Sequence, residues 1–168
     1  MMGKTHALIG GVTGLALAYA LQAPGHETVT LCCVGLVGAL LPDVDSPQST
    51  ANRALPILRL LGMFAKHRGI LHGLWLPALL WLVSGLISPV WQSVMWALAA
   101  GYVSHLLADA ITIQGVPLFW PYTRNIHLLP GLLRIKTGGW VEALIGLGLV
   151  ALLCVQVLIL TGLWEGLL

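Results

Sequence analysis

The sequence predicts an all-α, polytopic integral membrane protein of about five transmembrane helices, forming one domain over residues 1–168, and three observations predict it. Hydrophobic residues make up 58% of the chain and charged residues 8%, with a mean hydropathy of +0.91, well beyond the soluble average. Apolar runs approaching the roughly 20 residues that cross a bilayer recur along the chain, cut by proline and glycine. All eight lysines and arginines fall in connections or at helix ends that an alternating topology places on one side.

Taken in order, helix one spans about 5 to 22 and stops before Pro24 and Gly25. It follows Lys4, and its end, AYALQA, resembles a signal cleavage site; cleavage would leave the later topology unchanged. Helix two, 28 to 41, is stopped by Pro42. Helix three, 66 to 87, and helix four, 89 to 113, are separated by Ser88 and Pro89, and helix five, 139 to 163, follows Gly138 and Gly139. Lys4, then Arg53, Arg59, Lys66 and Arg68, then Arg124, Arg134 and Lys136 share one side, which puts the N-terminus in the cytoplasm and the C-terminus outside. Helix two covers only about 21 Å of a core about 30 Å thick. Asp43 and Asp45 are therefore expected in the inner leaflet, facing a cytoplasmic cavity.

The same topology gathers the scattered polar residues. An ionisable group among apolar neighbours costs several kcal/mol unless paired, hydrated or metal-bound. His6, Asp43, Asp45, His67, His72, His105, Asp109 and Glu142 all fall near one membrane face. His105 and Asp109, four apart, share a helix face and can supply two ligands to one ion. Asp43 and Asp45 can both turn inward only in a bend such as Pro42 forces. His67 and His72 are five apart, so they diverge on a helix, with His67 at the helix entrance or the two serving different ions. Imidazole and carboxylate donors without cysteine suit zinc, manganese or ferrous iron, and more than four candidates suggest two ions.

The expected metal ligands are thus His6, Asp43, Asp45, His67, His72, His105 and Asp109. Glu142 is the expected general base, with Asp45 as the alternative. Plainer roles exist: Asp45 as a turn or cap residue, His105 and Asp109 as helix-packing partners, His26 and His127 as loop residues. Independent packing groups have no reason to choose one leaflet. No basic run interleaved with aromatics exists to follow a nucleic-acid backbone, and Cys32, Cys33 and Cys154 sit in apolar runs, implying no disulfide framework.

At these residues the chain resembles the YdjM-type family of bacterial inner-membrane proteins, described as LexA-regulated, metal-dependent hydrolases. The resemblance rests on His6, LPDVDSPQS at 41–49, HRGILH at 67–72, GYVSHLLADAIT at 101–112, GVPLFWP at 115–121 and a Lys-Thr-Gly segment leading to Glu142. Leu71 and Gly73 depart from the family's HRG-x-THS, which removes groups that would orient His72. The resemblance implies hydrolysis at a divalent-metal site, with zinc first and manganese or iron next, and membrane lipids as surroundings. A looser likeness to zinc-dependent phospholipases C points to a lipid-linked or phosphorylated substrate. The rival expectations are a metal-ion or proton-coupled transporter, which would place its site nearer the midplane, and a closed structural metal site. The sequence does not set the oligomeric state.

Overall fold

The computed structural model describes residues 1–45 and 70–160. Among the described residues there are five α-helices and no strand: α1 (Gly3–Ala20), α2 (Gly25–Leu40), α3 (Trp75–Ser84), α4 (Pro89–Ala110) and α5 (Trp140–Leu160). Short 3₁₀ turns occupy Leu41–Asp45, Ile70–His72 and Gly131–Leu133. Isolated bridges join Thr112 to Ile135 and Val116 to Ile126.

Local chemistry sets the ends. Gln22 takes the left-handed conformation (φ 52°) just past α1, and the Ala23 amide donates to the Ala18 carbonyl at 2.9 Å, the bond that closes a helix in a Schellman turn. Pro24 then caps α2 in an extended conformation. Pro42 lacks the amide needed to continue α2, and the chain tightens into the 3₁₀ turn that carries Asp43. Pro89 opens α4, where a missing amide costs nothing. Ser84 fastens α3 to α4 by donating to the Trp81 carbonyl at 2.5 Å and accepting from Trp96 Nε1 at 2.9 Å.

The third predicted helix is the one the structure redraws. Residues 66–69 of it lie outside the described residues, Ile70–His72 is a 3₁₀ turn, and the α-helix begins only at Trp75. At ten residues it is about 15 Å long, half of a bilayer core. Among the described residues two segments are long and apolar enough to cross a membrane by themselves, Gly25–Val44 and Trp140–Ile159. α1 is diluted by Lys4, Thr5 and His6 in its first turn.

α4 is the central post, packed against α1, α2 and α3, while α5 leans on α1. Glycines allow this closeness. A Cβ on Gly101 of α4 would stand 2.0 Å from the Gly35 carbonyl oxygen, and one on Gly35 2.5 Å from that of Gly10, so α1, α2 and α4 meet backbone to backbone. Small residues at such crossings are how helices associate where lipid removes the hydrophobic drive. α5 does the opposite: only 6% of its apolar span is buried, and Leu144, Leu147, Val150 and Leu152 face outward, as suits a helix surrounded by hydrocarbon.

Candidate metal centre

Five of the predicted residues converge where the N-terminal turn of α1, the turn after α2, the turn before α3 and the end of α4 meet. His6, His72, His105 and Asp109 are almost completely buried. One ligand atom from each of His6, His105 and Asp109 lies within 4.8 Å of the others, and the same holds for Asp43, His72 and His105. His6 Nε2 is 3.2 Å from Asp109 Oδ1, His105 Nε2 is 3.8 Å from Asp43 Oδ1 and 3.9 Å from Asp109 Oδ2, and His72 Nε2 is 3.9 Å from Asp43 Oδ1. Donors bound at about 2.0–2.2 Å to one ion stand about 3–4 Å apart, so these separations fit a divalent ion.

The hydrogen bonding fits as well. His105 Nδ1 lies 2.7 Å from the Ala39 carbonyl oxygen, which can only accept; the ring must donate there, leaving the lone pair on Nε2. A ring held by its far nitrogen is the usual outer support of a metal-binding histidine. The carbonyl comes from the last turn of α2, where such groups need partners beyond the helix. His105 Nε2 and His6 Nδ1 are buried without a hydrogen bond, an arrangement that costs about 1–3 kcal/mol per group unless something binds them. The His6 and His105 rings stack with centroids 3.7 Å apart, which brings a ligand atom of each near Asp109.

The number of candidate ligands in the sequence suggests two ions. Among the described residues both ligand groups share His105, and its single Nε2 lone pair serves one ion. Asp45 closes the Leu41–Asp45 turn, but its side chain, like all of His67, lies outside the described residues. His72 sits in a 3₁₀ turn ahead of α3 and not on the helix, which is a correction to its expected setting.

The supports of that turn had no signal in the sequence. Tyr102, three residues before His105 on α4, donates its hydroxyl to the Leu71 carbonyl, Trp75 Nε1 donates to Ile70 O at 2.8 Å, and the Leu74 amide donates to Leu118 O at 2.9 Å. Three contacts thus aim His72 inward despite the lost Thr and Ser of the expected motif. Thr112 does the same for Asp109, its hydroxyl donating to the Asp109 carbonyl at 2.7 Å. Asp109 also pairs with the Met1 amino group.

Glu142 is buried but belongs to neither ligand group. Its Oε1 accepts the Met2 amide at 2.6 Å and its Oε2 the Gly138 amide at 2.7 Å. It therefore ties the start of α1 to the start of α5, and Gly138, at φ 75°, supplies the left-handed turn that aims the second amide. Glu142→Ala orphans both donors. It is expected to lower stability by about 1–3 kcal/mol and metal affinity by about 10–100-fold, read by thermal unfolding and metal titration in detergent, with His6 loosened as the first turn of α1 frays.

A sequence-family model described as YdjM inner membrane protein matches residues 1–165. The chain is 33% identical over 155 residues to the uncharacterized protein YvsG of Bacillus subtilis (strain 168), covering 92% of each chain. It is 36% identical over 95 residues to the inner membrane protein YdjM of Escherichia coli (strain K12), a match covering 51% of this chain and 46% of that protein. YdjM of Shigella flexneri matches to the same extent. No solved structure matches. With nearly its whole length matched, the chain belongs to the YdjM family of inner membrane proteins.

Proposed function

We propose that this protein is a multi-pass inner-membrane hydrolase with a divalent-metal site opening to the cytoplasm, and that its substrate is a phospholipid or another phosphoester near the inner leaflet. The observation that carries the reading is the convergence of three buried imidazoles with two carboxylates. His6, Asp43, His72, His105 and Asp109 would hold the ion, zinc first and manganese or iron next by donor chemistry. An ion held there supplies Lewis-acid polarisation of a phosphoryl or acyl oxygen.

The chain's own residues divide the remaining work. The His72, His105 and Asp109 side chains are at most 3% exposed, whereas that of Asp43 is 23% exposed, so the site opens on the Asp43 side and substrate approaches there. Because both Glu142 oxygens are taken by amides, we assign Glu142 to holding the scaffold and the proton-accepting role to an aspartate of the Leu41–Asp45 turn. The one-sided lysines and arginines support an N-terminus in the cytoplasm. The depth of His6 and His105 also suits the second reading, a closed site whose ion only staples helices.

Elemental analysis of the purified protein beside an Asp43→Ala, His105→Ala double variant, followed by a screen of phospholipids and soluble phosphoesters, tests the proposal. Near-stoichiometric metal lost in the double variant, together with metal-dependent release of product, is expected. Metal without turnover of any substrate class leaves the stapling role; absence of metal even after reconstitution overturns both.

A further inference from the structure

The connection between α4 and α5, residues 111–139, contains Arg124, Arg134 and Lys136 and no acidic residue. It also turns its largest apolar groups outward: Phe119, Tyr122, Leu128, Leu132 and Leu133 are all well exposed, as is Trp140 where α5 begins. Neutral polar groups such as Gln114, Thr123 and Asn125 are exposed beside them, and part of the backbone is paired internally. Val116 and Ile126 exchange amide–carbonyl bonds at 3.2 and 2.8 Å, the Ile113 amide donates to Ile135 O at 3.1 Å, the Ile135 amide to Ile111 O at 3.0 Å and the Leu128 amide to Ala110 O at 2.9 Å. Asn125 Nδ2 and Arg134 Nε satisfy the Gln114 and Leu129 carbonyls. A segment that pairs part of its backbone internally and exposes large apolar groups beside cations suits the headgroup layer, where acyl chain and phosphate lie side by side.

We propose that residues 111–139 form an interfacial element that seats on an anionic lipid surface, its leucines and aromatics entering the acyl boundary and Arg124, Arg134 and Lys136 meeting the headgroup charge. Charge complementarity selects this occupant: a purely apolar partner would leave three cations with nothing to balance them, and an acidic soluble partner would leave the leucines and aromatics bare. The segment starts two residues past Asp109 and ends three before Glu142, so it would hold the metal-site face of the molecule against the bilayer. The proposal needs the protein to lie in a membrane; it does not need the metal centre to be catalytic.

The test uses the full chain with Cys32, Cys33 and Cys154 changed to serine and one fluorophore-labelled cysteine placed by Leu132→Cys, a site exposed enough to accept it. The protein is reconstituted into vesicles of phosphatidylcholine alone or mixed with phosphatidylglycerol, and quenching by lipid-borne nitroxide is compared with quenching by aqueous iodide. The expected result is strong nitroxide and weak iodide quenching, with a nitroxide-to-iodide ratio severalfold higher in the anionic vesicles, and loss of that rise on Arg124→Gln with Lys136→Gln while bound metal stays unchanged. Full iodide access overturns the proposal. So does protection from both quenchers, which means a protein surface covers the loop, and so does insertion indifferent to lipid charge, which removes the anionic recognition.

Discussion

Replacing His105 with alanine is expected to strip the metal from the protein, lowering affinity by more than the about 10–100-fold that follows loss of an outer-shell partner. The reason is geometric. His6 and Asp109 serve one ligand group and Asp43 and His72 the other, but His105 belongs to both, and its ring is pinned by a hydrogen bond to Ala39. His6→Ala and His72→Ala each remove a donor from one group and are expected to cost less than His105→Ala. His26→Ala, at the exposed start of α2, is expected to cost nothing. The stoichiometry is expected to be one ion for these five residues.

The same variant can be read without measuring metal. A ligand that binds only the folded state, at about 100 times its Kd, adds about 2.7 kcal/mol of stability, so a chelator should lower the melting temperature of the native protein by several degrees. It should leave His105→Ala unchanged. A native protein indifferent to chelator would mean that the buried nitrogens are satisfied by something other than a metal. The comparison separates loss of the ion from loss of the fold, because His105→Ala also removes the Ala39 contact and destabilises the protein whether or not metal is present.

These residues show how far a sequence carries such an argument. The i, i+4 pair His105 and Asp109 was legible because helical periodicity puts both on one face, and Pro42 announced the bend that carries Asp43. The setting of His72 was not legible. HRGILH reads as the start of an apolar helix, whereas its described part, Ile70–His72, is a 3₁₀ turn held by Tyr102, Leu118 and Trp75, distant or downstream in sequence. The partners of Glu142 were not legible either: its oxygens accept two main-chain amides, whose positions no side-chain pattern encodes. Local chemistry predicts what residues near in sequence do together. Contacts between backbones are hidden from it, because every residue contributes the same groups.

That limit is sharpest at the glycines, and a matched pair of substitutions exposes it. Gly101→Ala and Gly146→Ala are the same chemical change in two helices of a membrane protein, yet opposite results are expected. Around Gly146 a Cβ meets nothing within 4 Å, so alanine should stabilise α5 by up to about 1 kcal/mol through helix propensity. At Gly101 the new methyl would stand 2.0 Å from the Gly35 carbonyl oxygen. A backbone oxygen cannot rotate away, so α2 and α4 must separate by about an ångström or more, and overpacking of this kind costs about 1–3 kcal/mol or more, outweighing the propensity gain. The damage should reach the metal centre. Gly101 lies one turn before His105, and Ala39, which holds the His105 ring, lies one turn beyond Gly35 on the helix being pushed away. Gly101→Ala is therefore expected to weaken metal binding at least about tenfold although every ligand is intact, while Gly146→Ala leaves it unchanged. Melting curves in detergent and metal titrations of the two variants decide the matter: equal behaviour would mean that the α2–α4 backbone contact does not set the geometry of the site.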